Sequence, residues 1–182
     1  MKKIFAGAVV FAAMFVGTSA AMAQSSSSAR FGVSGGLVLP IGDLGTQFGT
    51  GFNIMGHASI TPSAFPLVLR GDVGILTLSG KTVTGGISGT TSSRTLFTVN
   101  GNAIYNFESS KDATFVPYVI GGAGIYSGTQ SFGTHFGINA GGGVTFKLAG
   151  FDAFAEGRFH NVFGDGGSKR LIPISFGIMF KP

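Results

Sequence analysis

The chain closes on three alternating segments. From Phe136 to Leu148, Phe136, Ile138, Ala140, Val144, Phe146 and Leu148 share one parity, and Gly137, Asn139, Thr145 and Lys147 share the other. Phe151 to Phe163 repeats the pattern. There Phe151, Ala153, Ala155, Phe159 and Phe163 oppose Asp152, Glu156, Arg158 and His160. Leu171 to Phe180 then puts Ile172, Ile174, Phe176, Ile178 and Phe180 on one face. A period of two sustained over three segments fits no helix. It requires β-strands with one apolar and one polar side.

The same period divides the rest of the chain. Arg30–Leu39 carries Phe31, Val33, Leu37 and Leu39 on one face. Phe48–Ile60 opposes Phe52, Ile54, Ala58 and Ile60 to Asn53, Met55, His57 and Ser59. Leu67–Leu78 opposes Leu67, Leu69, Val73 and Ile75 to Arg70 and Asp72. Arg94–Phe107 opposes Phe97, Val99, Ala103, Tyr105 and Phe107 to Thr98, Asn100, Asn102 and Asn106. Thr114–Ser127 is blurred, because Val116, Tyr118 and Ile120 lie on one parity and Phe115, Val119 and Ile125 on the other. The breaks at Pro40–Gln47, Thr61–Pro66, Ser79–Ser93, Glu108–Ala113, Gly128–Gly133, Ala149–Gly150 and Gly164–Ser168 are rich in turn residues. The expected fold is all-β: eight antiparallel strands in an up-and-down barrel, with no helix and no second domain. Ser79–Ser93 is the longest expected connection, and connections after odd-numbered strands are expected to be the longer ones.

Alternation alone does not say which face meets water, and a soluble lipid-binding barrel shows the same period. Three features turn the apolar face outward to lipid. Charged residues make up 10% of the chain, against about 25% in an ordinary soluble domain. The polar faces are mostly Gly, Ser, Thr and Asn, and their charges sit mid-strand with both signs present: Arg70, Asp72, Glu156 and Arg158. Aromatic residues stand near strand ends, as in the interfacial girdles of membrane barrels: Phe31, Phe52, Phe97, Tyr105, Phe107, Phe115, Tyr126, Phe136, Phe146, Phe151, Phe163 and Phe180. The expected architecture is therefore a transmembrane β-barrel over residues 30–182. Residues 1–23 read as a signal peptide: Lys2 and Lys3, an apolar run from Ile4 to Val16, and Ala21-Met22-Ala23 before cleavage. Residues 24–29 form a short Ser-rich leader. The net charge is +5, but the cations are scattered and form no basic stripe, so nucleic acid is not an expected partner. Cysteine is absent, which excludes disulfides, thiolate metal sites and a lipidated N-terminus.

With these features together, the chain resembles the OmpA/OmpX-type small outer-membrane β-barrels. The resemblance covers nearly the whole segment after the signal peptide. It is carried by Val116-Pro117-Tyr118-Val119-Ile120-Gly121-Gly122-Ala123-Gly124, by Phe136-Gly137-Ile138-Asn139-Ala140-Gly141-Gly142-Gly143-Val144 and by Ile174-Ser175-Phe176-Gly177-Ile178-Met179-Phe180. It implies Sec-dependent export to the outer membrane of a Gram-negative-type envelope. It also implies outer-membrane lipids and the barrel-assembly machinery as partners, with Phe180 as the terminal aromatic that machinery reads, although Lys181-Pro182 follows it. A monomer with no cofactor is expected.

Chemistry concentrates in one constellation. His57, Arg70, Asp72, Glu156, Arg158 and His160 are all expected to face the lumen. Charges in such an interior must pair or cost several kcal/mol each, so a plug of ion pairs that closes the barrel is the first expectation. A gate for a narrow conductance, or a route for small apolar molecules, is the second. Catalysis finds little support. Ser59, His57 and Asp72 supply the residue types of a triad without a spacing that favours one, and His135 stands near a strand end with Thr134 and Ser131 but no acid. No His pair has metal-ligand spacing with an acidic third ligand. The Gly runs at 121–122 and 141–143 lie within strands and are not phosphate loops.

Overall fold

The computed structural model describes residues 29–83, 89–90, 92–108, 110, 113–129, 132–164 and 167–180. The expected signal peptide, and all of the expected Ser-rich leader but Ala29, lie outside the described residues. The elements are β1 (Ala29–Ile41), a helical turn α1 (Asp43–Gln47), β2 (Phe48–Gly49), β3 (Gly51–Ile60), β4 (Leu67–Gly80), β5 (Thr82–Val83), β6 (Gly89–Thr90), β7 (Arg94–Asn106), β8 (Phe115–Gly128), β9 (Gly133–Lys147), β10 (Phe151–Gly164) and β11 (Gly167–Phe180). β1, β3, β4, β7, β8, β9, β10 and β11 each pair antiparallel with the next, and β11 returns to β1. The ring is closed, so its backbone donors and acceptors are satisfied between strands. Within a membrane, only a helix or a closed barrel meets that condition.

Parity decides what each strand shows. Phe31, Val33 and Leu37 of β1, Phe52 and Ile54 of β3, and Phe176 of β11 all point outward and are exposed. Between them on the same strands, Ser34, Asn53 and Ser175 are buried inside. Soluble monomers rarely expose a continuous apolar patch beyond a few hundred Å². Here the apolar surface runs round the barrel and the mid-strand charges Arg70, Asp72, Glu156 and Arg158 are inside, the reverse of a soluble lipid-binding barrel. The outer face is that of a protein whose solvent is lipid.

Aromatic side chains mark both ends of this belt. At the near end, where β1 begins and β11 ends, Phe31 is paired with Phe180, Phe180 with Phe151, and Phe115 with Phe146. Phe115 and Phe146 touch edge-to-face at 5.6 Å. At the far end Phe136 and Phe163 stack with centroids 6.2 Å apart.

Several expectations need correction. Tyr126 belongs to neither girdle: it faces inward and is fully buried. The loop expected at Pro40–Gln47 contains the turn α1, which tucks Leu44 under the far end of the barrel. The strand expected over Phe48–Ile60 is split, because β2 and β3 are separate, with β2 pairing only to the end of β4. β9 and β11 start at Gly133 and Gly167, earlier than the apolar pattern indicated. The long connection after β4 carries a small hairpin, β5–β6. The expected asymmetry of loop lengths is weak, since the near-end connection 107–114 is longer than the far-end 129–132. The blurred strand resolves cleanly. Phe115, Val119 and Ile125 face out, and Val116, Tyr118 and Ile120 face in, where Tyr118 and Ile120 pack with Ile104 and Val68.

Candidate functional site

The lumen divides into three layers stacked along the barrel axis. At mid-height lies a charged network. It is built from β4 and β10, which stand on different arcs of the ring and send Arg70, Asp72, Glu156 and Arg158 inward. Glycines on β9, paired beside β10, make room for its long side chains. A Cβ on Gly141 would lie 2.1 Å from a backbone oxygen and 2.9 Å from Arg158 Cγ, and one on Gly143 would meet Tyr118 Oη at 2.5 Å. Side chains cannot be added there without moving the network.

Arg70 donates through Nη2 to both carboxylate oxygens of Glu156, at 2.8 and 2.9 Å. Its Nε lies 2.9 Å from Asp72 Oδ1. Arg158 reaches the same two acids, with Nη1 2.9 Å from Asp72 Oδ2 and Nε 3.0 Å from Glu156 Oε1. Two guanidinium groups and two carboxylates thus form a neutral square. Neutral donors complete it. Tyr118 donates its hydroxyl to Glu156 Oε2 at 2.8 Å, and Asn102 donates its amide to Asp72 Oδ2 at 2.9 Å. His57 donates Nδ1–H to Asp72 Oδ1 at 2.7 Å. All four charged side chains are buried. A paired, hydrogen-bonded arrangement is what makes such burial tolerable.

Of the six residues singled out in the sequence, five belong to this one network. His160 is also buried in the lumen but stands apart from it, with Nδ1 2.7 Å from the hydroxyl of Tyr126, which in turn donates to Asn100 Oδ1 at 2.8 Å. The Ser-His-Asp arrangement exists with a different serine. His57 Nε2 lies 2.8 Å from Ser34 Oγ, while Ser59 lines the near-end cavity. Ser34 is only 7% exposed and Asp72 is held by two arginines. This geometry is a hydrogen-bonded brace across β1, β3 and β4 around a buried serine. His135 donates Nε2–H to the carbonyl of Phe132 at the far rim, and Ser131 lies outside the described residues. Among the described residues, no three His, Cys, Asp or Glu side chains could hold a metal.

The second layer was not read from the sequence. Toward the far end the inward parity turns apolar. Val38, Leu76, Leu78, Leu96, Val162 and Leu171 form a buried cluster with Tyr126, and Leu44, Phe48 and Phe132 close it from the connections. The signal was present: Leu76 and Leu78 continue the parity of Arg70 and Asp72. The third layer is a cavity of about 290 Å³ at the near mouth, reaching in to Arg70 and Tyr118. At this mouth Arg30 pairs with Asp152 at 2.8 Å, and Lys147 pairs with Glu108.

No protein-family model matches the sequence, and no curated protein matches it. Solved structures do. Neisserial surface protein A superposes with a TM-score of 0.63 at 17% identity, covering 87% of this chain and 100% of its own. The outer membrane protein OprG of Pseudomonas aeruginosa gives a TM-score of 0.59 at 12% identity, covering 87% of this chain and 99% of its own. A major outer membrane protein of Thermus thermophilus gives 0.54 at 13% identity, over 86% of this chain and 100% of its own. At these identities the likeness is one of fold. The closed ring, outward belt and layered lumen give this chain the fold of the small eight-stranded outer-membrane barrels.

Proposed function

We propose that the chain is an outer-membrane barrel of structural or surface-interaction type whose lumen is closed by ion pairs, exported through the Sec pathway and acting without catalysis. The observation that carries this reading is the neutral square of Arg70, Asp72, Glu156 and Arg158, sealed at mid-lumen inside an outward apolar belt. In this reading the near end, where β1 begins and β11 ends, faces the periplasm and the far end faces outward. The kinship in fold to a surface protein of Neisseria supports a surface role. The barrel needs no partner to close its sheet and is read as a monomer in outer-membrane lipid.

The folded protein in the membrane fraction is expected to migrate faster than its boiled form on a gel. In planar bilayers it is expected to be silent. A steady conductance in the wild type would replace this reading with that of a narrow channel, which the near-mouth cavity favours. Recovery from the soluble periplasm without detergent would overturn both.

A further inference from the structure

Among the described residues, the cations Arg94 and Lys169 gather at the far mouth with no carboxylate paired to either. Phe132 inserts a buried ring there from the connection between β8 and β9. The guanidinium carbon of Arg94 lies 5.6 Å from the centroid of this ring and 5.0 Å from that of Phe48. Lys169 Nζ lies 4.7 Å from the Phe132 centroid. His135 packs edge-on against the same ring at 5.1 Å, its Nε2–H held by the Phe132 carbonyl. Its Nδ1 and Lys169 Nζ flank one point, lying 3.5 and 2.5 Å from where a Cβ on Gly164 would stand.

Two permanent cations therefore share one aromatic ring. Among the described residues neither Arg94 nor Lys169 pairs with a carboxylate, whereas at the near mouth Arg30 and Lys147 both do. Arg94 Nε is enclosed and has no acceptor among the described residues. Aromatic faces offset part of the cost of gathering these charges, but they do not cancel the repulsion between them. A bound anion would do that and would supply an acceptor for Arg94 Nε.

We infer that the far mouth is an anion-binding site, in which Arg94 and Lys169, set about Phe132, take a phosphate group. Phosphate offers several acceptor oxygens and close to two negative charges, which suits a guanidinium and an ammonium together. His135 holds Phe132 by its carbonyl and its ring. The site itself stands on the geometry. Only its natural source rests on the reading above: with the far mouth outside the cell, the phosphate belongs to an outer-leaflet glycolipid, and free inorganic phosphate is the other source.

The test uses the full mature barrel, refolded in zwitterionic micelles. The temperature at which the compact gel band converts to the unfolded one is measured with rising inorganic phosphate, against chloride at matched ionic strength. A ligand of the folded state raises that temperature with its concentration. Phosphate is expected to raise it. Lys169→Gln is expected to weaken the apparent affinity about tenfold, the loss of one charge-assisted contact. Lys169→Arg should retain binding, and Arg170→Gln, on the outward parity, should leave it unchanged. A second arm uses nanodiscs of phosphatidylcholine containing lipid A with or without its phosphates. Stabilisation by the phosphorylated form alone identifies the lipid source, and a response to inorganic phosphate alone identifies the soluble one. No shift in either arm overturns the inference. So does a shift that appears only in Asp165→Asn, which would make the counter-ion internal. Gel migration and bilayer silence test the closed-barrel reading separately, so either can fail without the other.

Discussion

The mid-lumen network and the far-end plug occupy the same inward parity of the same strands, yet they exclude water in opposite ways. The network does it by satisfying charge: every carboxylate of the square meets both arginines. The plug does it by burying Leu76, Leu78, Leu96 and Leu171 against Phe48 and Phe132. The difference lies in how each fails. An apolar layer loses energy in proportion to the atoms removed. A charged layer loses little while balanced and much when one partner goes, because the remaining charge stays buried. The plug therefore tolerates variation in side-chain volume, and the network tolerates almost no variation in charge.

Mutations that unbalance one layer and spare the other would separate these behaviours. The largest effect is expected at Asp72, which touches both arginines, His57 and Asn102. Asp72→Ala should cost about 4 kcal/mol, read from urea unfolding in micelles. A loss below about 1 kcal/mol would show that water already reaches the square and supports it. Next comes Leu171→Ala in the plug, expected at about 3 kcal/mol with the bilayer still silent, because the charged layer below it is intact. Conductance in that variant would transfer the closing role to the plug. Glu156→Gln keeps the shape but turns one acceptor oxygen into an amide donor facing Arg70, and leaves the square with one excess positive charge. It should cost about 2 kcal/mol and should be the variant most prone to open-channel events in planar bilayers.

Two smaller changes bound the comparison. Tyr118→Phe removes one donor to Glu156 and should cost about 1.5 kcal/mol, measured by the same unfolding titration. Lys147→Ala breaks the pair with Glu108 at the near mouth, where the side chains are 31% and 46% exposed. It should change stability by less than about 1 kcal/mol. A mouth pair that matters as much as a buried one would mean the near-end cavity is drier than its geometry implies.

Much of this was legible in the chain. Strand number, the outward face and the mid-strand charges followed from parity, because alternate Cβ atoms leave opposite sides of a strand. Parity failed where both faces are apolar. On β8, Val116, Tyr118 and Ile120 face inward and resemble the outward residues beside them, so only the contact with Ile104 and Val68 distinguishes the faces. Tyr126 misled for the same reason: an aromatic near a strand end looks like a girdle residue until its hydroxyl is seen on Asn100 and beside His160. The choice of Ser34 over Ser59 beside His57 depends on which strands are neighbours. β1 stands next to β3 and places Ser34 across from Met55, within reach of the His57 ring.

The sequence by itself determined a barrel with a greasy outside and a charged middle. Local backbone geometry forces alternation, and scarce charge leaves no other surface for water. Only the tertiary structure decided how the middle is arranged. The Arg70–Glu156 pair joins strands on different arcs of the ring, and no local pattern encodes a distance across a lumen. The ring closure that brings β10 toward β4 makes four isolated charges into one neutral square. The same closure brings Arg94 and Lys169, far apart in the chain, to one phenyl ring.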